Sequence, residues 1–187
     1  MPEIELLLED TQERMDKTLG VMKHDFQAIR TGKASPALVE GLSVEYYGAT
    51  VRLKDIASIT APEPRLLVIQ PWNQNAVKEI EKAILASDIG ISPVSDGRVI
   101  RLPIPELSEE RRKDMVRLVH KRAEEGRVEV RAVRRDANEV AKKAQKASEI
   151  TEDDLKTLLD DIQEFTDDYI EQVNKAMAAK EAELMEI

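Results

Sequence analysis

Apolar residues recur every three or four positions in three long stretches, and every second position in much of the segment between the first and second stretches. The longest helical stretch runs from Glu106 to about Ala147. There Val116, Val119, Ala123, Gly126, Val130, Val133, Ala137, Val140, Ala144 and Ala147 form a single seam. A mean spacing of 3.5 residues is that of a helix packed lengthwise on other helices with left-handed supercoiling. At 1.5 Å per residue, roughly forty residues make a rod of about 60 Å. Pro103 and Pro105 cannot continue the helix backwards, Ser108 suits the N-cap, and Glu109 and Glu110 suit the positive end of the helix dipole. Gly126 inside the seam either admits a close neighbour or weakens the rod.

Residues 2–30 predict another helix, with Ile4, Leu8, Thr11, Met15, Thr18, Met22, Phe26 and Ile29 on one face and Leu7 and Leu19 widening it. Gly32 and Pro36 interrupt the pattern, and the period then changes to two. Strands are expected at Leu42–Tyr47 and Thr50–Leu53 around a turn at Gly48-Ala49, and at 56–61 and 65–70, parted by Pro62 and Pro64. A short helix over Asn73–Ala86 and a hairpin of Ile91–Val94 with Arg98–Leu102 around Asp96-Gly97 complete a small α+β unit. After Ser148-Glu149-Ile150, Thr151 with Asp154 resembles a capping box, and a last helix buries Leu155, Leu158, Ile162, Phe165, Tyr169, Val173 and Ala176. No helix can bury its stripe alone, and the short connection makes the last two antiparallel. The fold class is therefore α+β. A three-helix bundle of residues 1–30 and 105–187 carries an inserted domain of residues 31–104, giving an elongated, two-armed molecule. Two connections, Thr31–Pro36 and Leu102–Pro105, allow a hinge.

Charge adds a candidate surface. The chain carries −9 overall, but residues 106–149 carry +3 and residues 150–187 carry −9, so a basic helix lies next to an acidic one. Arg127, Arg131, Arg134, Arg135, Asn138 and Lys142 lie at spacings of three, four and seven beside the seam. Arginine rather than lysine dominates, which suits forked contacts to phosphate. The alternative is a solvated face on which Asp136 and Glu139 pair locally with the arginines. The acidic pairs Asp153-Asp154, Asp160-Asp161 and Asp167-Asp168 repeat every seven residues and read as a solvated face rather than a metal site. Neither His24 nor His120 has a carboxylate three residues before it, so a di-iron bundle is not expected. The chain has no cysteine, and aromatics make up 3 %, which argues against a base-stacking platform. No membrane-spanning run or signal peptide is evident, so a cytoplasmic place is the simplest.

The loops carry a resemblance. Ile29 to Leu38 (Ile-Arg-Thr-Gly-Lys-Ala-Ser-Pro-Ala-Leu) and Val44 to Gly48 (Val-Glu-Tyr-Tyr-Gly) resemble the ribosome recycling factor family. So do Glu81 to Ile84, Ala86 to Gly90, Pro105 to Asp114, Val130 to Asn138 and Lys180 to Met185. The likeness covers essentially the whole chain in order. It implies an L-shaped, tRNA-like protein that binds the post-termination ribosome and splits it into subunits with elongation factor G and GTP. It places contacts to large-subunit rRNA on the bundle, with the family's functional arginines at Arg131 and Arg134 and another basic position at Arg30. Arg127, Arg135 and Lys142 extend that surface. Thr31, Gly32, Ser35, Pro36, Pro103 and Pro105 would form the hinge, where Lys33 stands for the more usual arginine. A monomer without enzymatic activity, cofactor, metal or membrane is expected. Two other classes stay open: a coiled-coil adaptor, which predicts a protein ligand and weak salt dependence, and an enzyme with a cleft site. The sequence offers the second no P-loop, no Gly-x-Ser-x-Gly and no histidine dyad.

Overall fold

The computed structural model describes residues 2–186. The chain is α+β and divides into two compact units, one made of the residues up to Phe26 with Arg117–Ala182, the other of Gln27–Val116 with the residues from Glu183 onward. The elements are α1 (Pro2–Ala28), β1 (Ser43–Tyr46), β2 (Ala49–Arg52), β3 (Ala57–Glu63), β4 (Leu66–Pro71), α2 (Val77–Ala86), β5 (Val94–Ser95), β6 (Ile100–Pro103), α3 (Glu109–Lys146) and α4 (Glu152–Met185).

In the first unit α1, α3 and α4 pack lengthwise, and side-chain pairs fix their register. Arg14 meets Asp136 at 2.8 Å and Arg122 meets Asp25 at 2.6 Å, so α1 runs antiparallel to α3. Arg134 bonds Gln163 at 3.3 Å and His120 bonds Glu181 at 3.0 Å, so α3 runs antiparallel to α4. Both being antiparallel to α3, α1 and α4 run parallel to each other, and the Tyr169 hydroxyl donates to Asp16 between them. The expected stripes are the buried ones over most of their length: Met15, Leu19, Met22 and Phe26 on α1, and Leu158, Ile162, Tyr169 and Val173 on α4. Thr11 and Thr166 enter this core because their hydroxyls donate back to the carbonyls of Leu7 and Ile162, at 2.6 and 2.8 Å.

The α3 seam departs from expectation at its end. Val119, Ala123, Gly126, Val130, Val133 and Ala137 are buried as read, but Val140 is 51 % exposed and Ala141 is buried in its place. From Val130 the buried steps are three, four and four, eleven residues for three turns. A nearly straight helix with 3.6 residues per turn drifts off a strict 3.5 repeat, and the seam moves by one residue to stay under the partner helices. Ala147 lies past the end of α3, in the turn, and is exposed. Gly126 admits a close neighbour: a Cβ there would lie 2.9 Å from Met22 Sδ. Asp136 does not pair with the stripe arginines, because it points to the α1 side and takes Arg14; Glu139 pairs with Lys143 at 2.8 Å.

The joint between α3 and α4 is closed by backbone bonds. Ser148 adopts a positive φ of 58°, and Ser148 N–H donates to Gln145 and Glu149 N–H to Ala144 at 3.0 and 2.9 Å, a Schellman closure. The capping box is formed as read: Asp154 N–H donates to Thr151 Oγ1 at 3.1 Å, and Thr151 N–H donates to Asp154 Oδ2 at 3.0 Å. At the other end of α3, Ser108 Oγ accepts from Arg111 N–H at 3.2 Å.

The second unit holds a two-stranded sheet, β1-β2, and a four-stranded antiparallel sheet in the order β3-β4-β6-β5. One core joins them with α2: Val44, Leu53, Leu67, Ile69, Ile80, Ile84, Ile100 and Leu102. The first hairpin turns one residue earlier than the sequence suggests. Tyr46 pairs with Ala49, and the loop residues are Tyr47 and Gly48 with φ of 48° and 77°. Two positive φ values are what a two-residue hairpin loop compatible with strand twist requires. Pro62 lies inside β3 rather than after it. The strand is at the sheet edge and its register shifts between Thr60 and Glu63, so the missing N–H costs no ladder bond.

Candidate nucleic-acid interface

Successive residues of α3 are rotated by about 100°, which puts positions 127, 131, 134, 135, 138 and 142 on the flank beside the seam. The structure grades this flank by distance from α4. On the inner edge, Arg127 is committed to the bundle: its Nε donates to Asn174 Oδ1 at 2.9 Å, one Nη to Glu124 at 2.8 Å and the other to Met177 Sδ at 3.4 Å. Its side chain is 17 % exposed. Arg134 donates to Gln163 Oε1 at 3.3 Å and is half-buried. Arg131, with its side chain 43 % exposed, lies 3.6 Å from Glu124. Surface pairs of this kind contribute about 0–1 kcal/mol, so that contact does not hold Arg131 back from a stronger partner. Arg135 and Lys142 are exposed and form no ion pair among the described residues.

An arginine outside the stripe is also structural. Arg122, 14 % exposed, lies between Asp25 at 2.6 Å and Glu129 at 3.6 Å on the α1 side. Sequence spacing marked neither Arg122 nor the bundle-directed bonds of Arg127. The available signal was angular, since position 127 adjoins seam residues 126 and 130. On α4, Asp153, Asp160, Asp167 and Asp168 are exposed, while Asp154 and Asp161 are partly covered. Among the described residues no three His, Cys, Asp or Glu side chains gather as a metal site.

The remaining sequence-marked residues all lie in the second unit. Arg30 does not project freely: one Nη donates to Pro105 O at 2.7 Å and the other to Ile89 O at 3.4 Å. Burial pulls its guanidinium below the ordinary arginine value, and the nearby charge of Arg111 pulls in the same direction. Thr31 is buried, its Oγ1 accepting from Lys33 N–H at 3.2 Å, and Gly32 has open space where a Cβ would be. Lys33 meets Glu186 at 2.7 Å, and that bond raises its ammonium above the usual value. Ser35 is extended before a 3-10 turn at Pro36–Leu38, and Pro103 closes β6 opposite Leu66. Ala34 N–H donates to Pro64 O at 2.7 Å and Ile104 N–H to Arg65 O at 2.8 Å, so both connections are tied to the β3–β4 turn.

The family model described as Ribosome recycling factor matches residues 22–185. The chain belongs to the ribosome recycling factor family. A ribosome-recycling factor of Alkaliphilus metalliredigens is 51 % identical over 176 residues, covering 94 % of this chain and 95 % of that protein. One from Thermoanaerobacter sp. strain X514 is 53 % identical, covering 96 % and 98 %. Among solved structures, the solution structure of a ribosome recycling factor superposes with a TM-score of 0.76 at 43 % identity over all of both chains. A second likeness, at 46 % identity with a TM-score of 0.68 and covering 98 % and 99 %, is to the T. thermophilus ribosome recycling factor. It comes from models of that factor and E. coli elongation factor G bound to the E. coli post-termination complex. The α3 flank supplies exposed and half-buried cations of the kind that contact phosphate. Among the described residues no helix is long and apolar enough to cross a membrane.

Proposed function

We propose that this chain binds the post-termination ribosome and, with elongation factor G and GTP hydrolysis by that factor, separates the subunits, releasing mRNA and tRNA. The exposed cationic flank of α3 carries the reading. Arg131, Arg134, Arg135 and Lys142 dock on large-subunit rRNA phosphates through charge-assisted hydrogen bonds, while Arg127 holds the flank in place. Arg30 adds a basic group in the second unit. The chain works as a monomer in the cytoplasm and catalyses no covalent step. Thr31, Gly32, Ser35 and Pro36, with Pro103 and Pro105, form the hinge of the inserted domain, its boundaries near residues 31 and 104.

Sucrose-gradient sedimentation of model post-termination ribosomes tests the function. The protein, elongation factor G and GTP are added, with an anti-association factor to keep subunits apart. Splitting that requires all three supports the function, and ribosomes that stay whole with a matched elongation factor refute it. In the same assay, Arg131→Ala or Arg134→Ala lowers ribosome affinity without loss of helicity. Unchanged affinity over several salt concentrations would make the flank an ordinary solvated face.

A further inference from the structure

The second unit brings two cations together that form no ion pair among the described residues. The position a Cβ would take on Gly90 lies 3.8 Å from Arg111 Nη2 and 3.8 Å from Arg30 Nη1. Two guanidinium groups therefore converge on one bare stretch of backbone. Neither forms an ion pair among the described residues, although Asp88 and Glu110 are near in sequence. Arg111 stands in the first turn of α3, where the helix dipole disfavours a cation. Arg30 cannot swing away, since two backbone carbonyls grip its fork, and its Nε is buried without a partner. Of its five N–H donors two are spent on those carbonyls. Gly90 has φ +71°, a conformation in which a side chain would be strained, so the space between the two arginines stays clear.

We propose that Arg30 and Arg111 form a cradle over Gly90 for one backbone phosphate of rRNA, an inference that rests on the ribosome-binding function and adds Arg111 and Gly90 to it. A phosphate oxygen about 2.8 Å from each guanidinium accepts one remaining N–H from each, and the anion removes the repulsion that the free protein tolerates. Arg30 is the fixed half, and Arg111, which is exposed, is the adjustable half.

The test uses the full chain, its Arg111→Gln variant, and Lys113→Gln as a control, since Lys113 is exposed on the same turn and paired with Glu109. Ribosome binding is measured by sedimentation at several salt concentrations, and thermal midpoints with inorganic phosphate against chloride at equal ionic strength. Arg111→Gln is expected to bind about fivefold more weakly, with a slope of log affinity against log salt shallower by about 0.7–0.9. Its thermal midpoint without phosphate equals or exceeds that of the unmodified chain, because a repulsion has gone, and phosphate raises it less. Lys113→Gln changes neither. An unmodified chain that binds ribosomes while Arg111→Gln binds with the same affinity and slope overturns the cradle and leaves the function intact. An unmodified chain that does not bind ribosomes overturns the function. Phosphate stabilisation dependent on Arg111 in that case makes free phosphate the occupant and overturns the rRNA assignment.

Discussion

The contact between Gly126 and Met22 makes a prediction whose sign is not that of an ordinary helix glycine. In an open helix interior, Gly→Ala stabilises by about 1 kcal/mol through backbone entropy. At position 126 the new methyl would lie 2.9 Å from Met22 Sδ and 3.5 Å from its Cγ, both closer than ordinary van der Waals contact or at its edge. Met22 is fully buried, so its sulfur has no solvent to retreat into. Overpacking of this kind costs about 1–3 kcal/mol, and the flexibility of methionine places the cost near the middle of that range. The net expectation is that Gly126→Ala destabilises by about 1 kcal/mol. Met22→Ala removes both the sulfur and Cγ at a cost of its own of about 2–5 kcal/mol. In that background Gly126→Ala should stabilise by about 1 kcal/mol, the propensity gain alone. The coupling in the double-mutant cycle is then about 2 kcal/mol. Urea unfolding followed by circular dichroism at helix wavelengths measures all four proteins. If Gly126→Ala stabilises the unmodified chain by the open-helix amount, α1 and α3 do not approach as closely as described.

Arg127→Ala should lower bundle stability by about 1–2 kcal/mol through lost bonds and packing to α4, whereas Arg135→Ala leaves the unfolding midpoint unchanged and weakens ribosome binding; equal stability losses would erase the distinction. Gln163→Glu should weaken ribosome binding, because a carboxylate beside Arg134 cancels its charge, and it should cost only a few tenths of a kcal/mol from the i,i+4 neighbour Asp167; unchanged salt-dependent binding would count against Arg134. Burial, then the bond to Asp16, pushes the Tyr169 hydroxyl up to about 12. A folded value above the unfolded one of about 10 means that its contribution is complete below pH 10 and lost as pH rises toward 12. Tyr169→Phe should therefore cost about 1 kcal/mol at neutral pH, and unfolding curves of the two proteins should converge at alkaline pH; a constant difference would refute the assignment.

The fold was legible wherever one residue type answers to one local requirement. Thr151 with Asp154 and Ser108 before two glutamates each have a short-range cause, and each follows from spacing alone. The misplaced features answer to long-range geometry. Val140 and Ala141 are both small and apolar, and only the accumulated drift of a straight helix under its partners decides which is buried. The hairpin loop at Tyr47 puts a tyrosine at positive φ, against residue preference, because the pairing of Tyr46 with Ala49 fixes the loop length. The arginines are harder still. Arg122, Arg127 and Arg135 are the same residue on one helix, and rotation about its axis alone sends one to α1, one to α4 and one to solvent.

That rotation also explains how a chain of net charge −9 can present a cationic flank. On the α1 side, arginines meet carboxylates: Arg122 with Asp25, and Arg14 with Asp136. Their charges cancel, and the pairs serve packing and register. On the α4 side the acceptors for Arg127 and Arg134 are the amides of Asn174 and Gln163 and the thioether of Met177, although α4 carries most of the chain's excess acid. A neutral acceptor fixes the direction of a guanidinium without neutralising it. One carboxylate, Glu124, is shared between Arg127 and Arg131 at 2.8 and 3.6 Å. Gln163 spans the gap to acid, its amide oxygen taking Arg134 and its NH2 giving to Asp167 at 2.9 Å. The flank is thus oriented by α4 and keeps its field, and the acid of α4 is held one side chain away from the arginines that would meet phosphate.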